Sequence, residues 1–176
     1  MKLWVRAIAF TMLIPGVVGG LTPYLLSLSF STPTKLGPGR VVGLPLLVCG
    51  VVLYLVSLLS FVVKGGGTPA IWFARPLRFL IGEEPGKFVE TFSYRWTRNP
   101  MYLGVLLSVF GQGLLFDDLS YHLYGSVLWI FFHGVVVLLE EPHLKKKYGD
   151  TYVEYCRTTS RWIAFPWRRG EKPGKG

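Results

Sequence analysis

Between Tyr94 and Gly104 the chain reads YRWTRNPMYLG, and from Glu140 to Trp162 it reads EEPHLKKKYGDTYVEYCRTTSRW. The first stretch sets two arginines, an asparagine and two phenols at the mouth of an apolar run, MYLGVLLSVFGQGLLF. The second opens with paired carboxylates at the end of another apolar run. Guanidinium groups bind carboxylates through a planar two-point fork. Carboxylates and tyrosine faces hold ammonium or sulfonium cations. A ligand cationic at one point and anionic at another would satisfy both sets, provided that the fold brings them together.

Four apolar segments could do so, at roughly 5–30, 41–63, 101–116 and 121–139. Of the 176 residues, 51% are hydrophobic and only 16% charged, against roughly 25% charged in soluble domains. A run of about 18 apolar residues marks a membrane-crossing helix, so the composition excludes an ordinary soluble domain. The expected fold is all-α: a polytopic membrane protein with about four transmembrane helices, a C-terminal helical hairpin and an amphipathic tail helix. The first segment starts like a secretion signal, with Lys2 and Arg6 ahead of apolar residues, but stays apolar to Phe30 and reads as one span. Only FDDLS separates the third and fourth segments, which predicts an antiparallel hairpin turning at Asp117 and Asp118.

In such a hairpin Arg98, Asn99 and Tyr102 at the start of the third helix adjoin Glu140 and Glu141 at the end of the fourth. Ionisable groups at a membrane edge are costly, and a functional site is the default reading. Arg98 alone could be an interfacial anchor, and the glutamates alone a solvated helix end. Carboxylates there oppose the helix dipole, however, and the convergence favours a binding site. After Leu139, residues from Pro142 to Arg157 suit one amphipathic helix with Leu144, Tyr148, Tyr152 and Tyr155 near one face.

The net charge of +9 might suggest nucleic acid, but its distribution follows the membrane. Four crossings place every lysine and arginine except Lys35 and Arg40 on the side holding both termini. Basic residues accumulate in cytoplasmic loops, so both termini and the polar cluster are expected in the cytoplasm, beside anionic head groups. No nucleic-acid partner is required. Cys49 and Cys156 form no disulfide framework and read as inert. His122, His133 and His143 are spread along the chain and form no joint metal site. Of the three, only His143 is expected close to the cluster, and His133 reads as a hydrogen-bonded interior residue.

S-adenosylmethionine carries an amine, a carboxylate, a sulfonium and an adenine that wants an apolar slot, and it matches this set. The Gly-rich loop after a strand found in soluble methyltransferases is absent. The two stretches resemble the isoprenylcysteine carboxyl methyltransferase and phospholipid methyltransferase superfamily of integral membrane enzymes. Members read GxYRYxRNPMYLG and EEPxLxxxFGxxYxxYxxxVPRW, and the GGGTPA after Lys64 resembles their GxGTPAP. The resemblance covers roughly residues 65–165. It implies that Tyr94, Arg98, Asn99, Pro100, Tyr102, Leu103, Glu140 and Glu141 contact the cofactor. The implied organisation is N-terminal membrane helices over 1–63, a methyltransferase core over 64–170 and a disordered end over 171–176.

The departures from the pattern bear on the acceptor. Phe92-Ser93 replaces Gly-Pro, Thr159-Ser160 replaces Val-Pro, Ala164 replaces a proline, and IWFARPLRF follows GGGTPA. Methyl transfer is an in-line displacement to which an enzyme contributes alignment and partial desolvation. A carboxylate acceptor needs only a cation to orient it, for which Arg161 and Arg157 are candidates. An amine acceptor needs a proton taken, by Glu141 or a water. The expected activity is therefore methylation of a hydrophobic or lipid-linked acceptor reached from the bilayer, with a carboxylate of the prenylated-cysteine type first. The alternatives are phospholipid or other amine N-methylation, a non-enzymatic membrane protein, and a relative of membrane reductases that use NADPH.

Overall fold

The computed structural model describes residues 3–33, 37–60, 62–63 and 93–163. The GGGTPA stretch, Phe92, Ala164, the GEKPGKG end and both expected domain boundaries lie outside the described residues. What is described is helical: α1 (Leu3–Thr11), a π-helical stretch Met12–Leu21, α2 (Thr22–Phe30), α3 (Gly39–Ser60), a 3-10 turn Ser93–Arg95 and α4 (Pro100–Phe116). Then follow α5 (Leu119–Val135), a π-helical turn Val136–Glu140, α6 (Glu141–Tyr148) and α7 (Asp150–Thr158). Among the described residues there is no β-strand, only a single bridge between Pro33 and Asp118.

Three continuous helices are long and apolar enough to cross a membrane: Trp4–Phe30, Gly39–Ser60 and Leu119–Tyr148. Pro100–Phe116 is shorter; its 17 residues rise about 26 Å, less than the roughly 30 Å hydrocarbon core. Protein packing covers little of the long helices: Val41, Leu138, Leu28 and Val127 are each more than 60% exposed. Such large apolar patches mark a surface made for lipid rather than water. The chain is an all-α polytopic membrane protein.

The centre of the bundle is the pairing of α3 with α4. Gly43 and Gly50 lie two turns apart on α3, and Gly104 and Gly111 two turns apart on α4. A Cβ on Gly50 would stand 2.6 Å from the Gly104 carbonyl oxygen and 2.6 Å from the Ser108 nitrogen. One on Gly43 would meet the Leu115 nitrogen at 2.6 Å. The backbones thus touch directly, as small residues permit where lipid supplies no hydrophobic drive between helices. Tyr54, Leu58, Val105, Leu106, Val109, Leu128 and Phe132 fill the core around this seam.

The first helix docks through polar groups. Pro15 interrupts its ladder within the π-helical stretch, and carbonyls there turn outward to partners. Gln112 Nε2 donates to the Gly19 oxygen at 2.7 Å, and Tyr124 Oη to the Val18 oxygen at 2.7 Å. Thr11 Oγ1 and Tyr54 Oη lie 2.9 Å apart.

The hairpin turns where expected. Asp117 ends α4 in the left-handed region (φ 58°), and Asp118 caps α5 by accepting from the Ser120 nitrogen at 2.9 Å. Asp118 also accepts from the Thr32 nitrogen and the Ser31 hydroxyl, both at 3.2 Å, and so ties the end of α2 to the turn. Burial pushes its carboxyl up, but the hydrogen bonds from Ser120, Thr32 and Ser31 outweigh this and hold it below its usual range.

Two expectations are corrected. The fourth span does not end near Leu139: it runs through Glu140, Glu141 and Pro142 to Tyr148. The amide that Pro142 lacks would have bonded to the Leu138 carbonyl, and the π turn Val136–Glu140 widens the ladder there, which lets the helix pass the proline. The glutamates therefore lie within a continuous helix rather than at its end. The tail is also not one helix from Pro142 to Arg157, because Gly149 at φ 56° breaks it into α6 and α7. The expected apolar face survives the break. Tyr152 and Tyr155 are buried against Tyr94, with Leu144 and Tyr148 partly buried beside them.

Candidate functional site

The site forms where the loop before α4 meets the segment after α7. Thr97, Arg98 and Asn99 run alongside residues 160–161 and are joined to them by hydrogen bonds. The Arg98 amide donates to the Ser160 carbonyl at 2.9 Å. Thr97 Oγ1 and Asn99 Nδ2 both donate to the Arg161 carbonyl, at 3.1 and 2.9 Å. Asn99 precedes α4 with φ −127° and ψ 52° and makes no side-chain cap of its own, so its amide is free to hold the tail. Pro100 begins the helix fully buried, where a missing N–H costs nothing. From below, Tyr155 Oη donates to the Tyr94 carbonyl at 2.6 Å. Burial pushes the Tyr94 and Tyr152 phenols up, which keeps both neutral.

At the centre stands Glu141, only 6% exposed. Arg161 grips it with the two-point fork, Nε to Oε1 at 2.7 Å and Nη2 to Oε2 at 3.1 Å. Its hydrogen bond to Glu141 raises the Arg161 guanidinium further above its ordinary range. Arg98 Nη1 lies 3.3 Å from the same Oε1 and donates to Cys156 Sγ at 2.6 Å. The Nε of Arg98 is buried and has no hydrogen-bond partner among the described residues. Beside this group Tyr102 Oη donates to Glu140 Oε1. The Tyr102 ring rests on Phe132, with centroids 4.6 Å apart.

The two stretches singled out in the sequence thus meet, through Arg98 with Glu141 and Tyr102 with Glu140. Tyr94, Asn99 and Pro100 shape the wall of the site, and Leu103 faces an adjoining cleft. Arg157 is not part of it: it points to solvent beside Glu154. Cys156, expected to be inert, touches Arg98. His133 corrects the expectation that His143 alone lies near, because its Nδ1 accepts from Trp162 Nε1 at 3.1 Å. The Ser160 and Arg161 carbonyls and Trp162 were not foreseen as site groups. The SRW that ends the second motif was the signal available for them.

The cleft measures about 440 Å³ and is almost wholly apolar. Val48, Cys49, Val52 and Val56 of α3 form one side, and Trp96, Leu103, Trp162 and Ile163 the other. It abuts the polar cluster through Thr97, Leu103 and Trp162 and opens on the exposed apolar face of α3. A membrane-edge polar cluster next to a lipid-facing cleft can hold a charged ligand and an apolar one side by side.

The phospholipid methyltransferase family matches residues 38–151, and the chain belongs to that family. It is similar to methanethiol S-methyltransferase 1 of Bradyrhizobium diazoefficiens, 32% identical over 51% of this chain and 30% of that protein. The protein-S-isoprenylcysteine O-methyltransferase of Saccharomyces cerevisiae is 36% identical over 44% of this chain and 32% of its own length. Protein-S-isoprenylcysteine O-methyltransferase B of Arabidopsis thaliana is 34% identical over 47% of this chain and 42% of its own. The chain therefore spans about a third to two fifths of the curated relatives it matches. No solved structure matches it.

Proposed function

We propose that the protein is a membrane methyltransferase that takes its methyl group from S-adenosylmethionine and passes it to a carboxylate on a hydrophobic acceptor. One observation carries the reading: the Arg98–Glu141–Arg161 cluster and an apolar, bilayer-facing cleft share a wall. The residues fit the donor. Arg98 has a buried N–H to spare and can take a carboxylate, while Glu140, Glu141 and the Tyr102 ring suit an amine and a sulfonium. Bound there, S-adenosylmethionine supplies an electrophilic methyl group.

The chain's own residues do the rest. Glu141, clasped by two guanidinium groups, fixes both in place so that their remaining N–H donors are oriented before a ligand arrives. Thr97 and Asn99 hold the Arg161 backbone and keep the tail closed over the site. The α3 wall of the cleft takes the acceptor's apolar chain and excludes water from the reacting atoms. Arg161, a third exposed at its side chain and next in the chain to Trp162 of the cleft wall, is the candidate cation for an incoming carboxylate. The relatives named for prenylcysteine O-methylation favour an oxygen acceptor, and the one named for methanethiol keeps a sulfur acceptor in view.

Calorimetric titration of the detergent-purified protein with S-adenosylmethionine tests the donor. Incubation with a lipid extract and radiolabelled donor tests the acceptor: base-labile product label is expected, and base-stable label would point to an amine or sulfur instead. Absence of donor binding, or binding of NADPH in its place, would remove the reading.

A further inference from the structure

Trp162 lies in an irregular segment, four residues past the end of α7, so no helix fixes its side chain. Two contacts do. Its indole Nε1 donates to His133 Nδ1 at 3.1 Å, edge to edge, with ring centroids 6.2 Å apart and planes at 25°. Trp129 flanks both, 6.4 Å from Trp162 and 5.7 Å from His133. His133 belongs to the long apolar span Leu119–Tyr148, where an imidazole is an expensive way to fill space. An apolar ring there would pack equally well. What the imidazole adds is an acceptor at one fixed point, and the group it receives is the wall of the cleft.

We infer that His133 is a positioning residue for acceptor selection: by accepting the Trp162 N–H it sets the width of the cleft and hence which apolar chains seat beside the Arg98–Glu141–Arg161 cluster. This rests on the proposed methyl transfer to a hydrophobic carboxylate. The carbonyl before Trp162 is already anchored by Thr97 and Asn99, and the Arg161 side chain by Glu141. The indole is thus the remaining degree of freedom in this segment, and the bond from α5 removes it. A chain lying along Val48 and Val52 meets the indole on its other side.

Cys49 gives a readout that needs no turnover, because it is an exposed thiol in the cleft. The experiment measures N-ethylmaleimide alkylation of Cys49 by peptide mass spectrometry on the full-length protein, with fatty carboxylates of increasing chain length as protectants. Calorimetry with S-adenosylmethionine runs in parallel. His133→Phe keeps the ring and removes the acceptor. It is expected to weaken protection about fivefold, the equivalent of one neutral hydrogen bond, and to broaden the chain-length preference. Donor affinity should stay within about twofold, far less than the tenfold that 1.4 kcal/mol would give. His133→Asn, which returns an acceptor oxygen, should restore most of the protection. Trp162→Phe removes the donor instead, and combined with His133→Phe it should add little, since both delete one bond.

Unchanged protection and chain-length preference in both His133→Phe and Trp162→Phe would overturn the inference. So would an equal loss of donor affinity and protection, which would make His133 a general prop, or a wild-type Cys49 that no chain protects. Should the wild type fail to bind S-adenosylmethionine while Cys49 protection still follows His133, the positioning of the cleft wall by His133 stands, and its part in acceptor selection falls with the methyltransferase reading.

Discussion

Glu141 carries a single negative charge in contact with two guanidinium groups, and the Arg98–Glu141 pair is buried, with side chains 11% and 8% exposed. Removing one member of a buried ion pair leaves the other charged and desolvated, at a cost of about 3–5 kcal/mol. Glu141→Gln should therefore lower the melting temperature in detergent as well as donor affinity. Glu140→Gln removes the charge beside Tyr102, and about ten- to a hundredfold of donor affinity should go with it. Arg98→Lys keeps the charge and gives up the planar fork and the spare Nε. It should weaken donor binding by a similar factor while the protein still inserts. Equal affinity in Arg98→Lys and wild type would return Arg98 to the role of an interfacial anchor. The meeting of Arg98 with Glu141 was legible in the sequence, because the short turn at Asp117 and Asp118 makes α4 and α5 antiparallel neighbours. The part played by Cys156 was not. It reaches Arg98 only because Gly149 redirects the chain, and the sequence alone let that stretch run as one helix. Backbone acceptors such as the Arg161 carbonyl carry no side-chain signature at all.

At the scale of elements, the site depends on how closely α3 approaches α4, since α3 lines the cleft and α4 carries Tyr102. That approach is set by glycines, and it sits where polar-motif reading does not look: Gly43, Gly50, Gly104 and Gly111 are unremarkable within apolar runs. Gly50→Ala places a methyl group 2.6 Å from backbone atoms of Gly104 and Ser108, which cannot rotate away. Overpacking of this kind costs about 1–3 kcal/mol, and relief requires the two helices to part. The expected outcome is a lower melting temperature together with faster alkylation of Cys49, the residue next to the substitution. Gly134→Ala is the control, for a Cβ there meets nothing within 4 Å. Equal melting temperatures for the two variants would refute the seam. The apolar segments themselves were legible from composition, and the hairpin from its short turn. The continuation of the last span through EEP was hidden, because paired charges and a proline normally mark an end, and only the π turn lets the helix carry on.

For the whole molecule the open property is orientation, and the charge distribution argues for it. The polar cluster, the lysines at 145–147 and Arg161 lie at one end of the bundle. Arg40, paired with Asp117 at 3.2 Å, lies at the other, near the Asp118 turn. Basic residues are retained on the cytoplasmic side, and anionic head groups there add about 1 kcal/mol for each lysine or arginine near the surface. A pocket for S-adenosylmethionine, made and used in the cytoplasm, also has to open on that side. Asp150→Cys, exposed at the start of α7, should therefore react with a membrane-impermeant maleimide only after cells are permeabilised. Arg40→Cys should react in intact cells, each measured above the background of the two native thiols. The reverse pattern would place the cluster outside the cell, away from its donor. The methyltransferase proposal would then fail on topology alone, however well Arg98 and Glu141 fit the ligand.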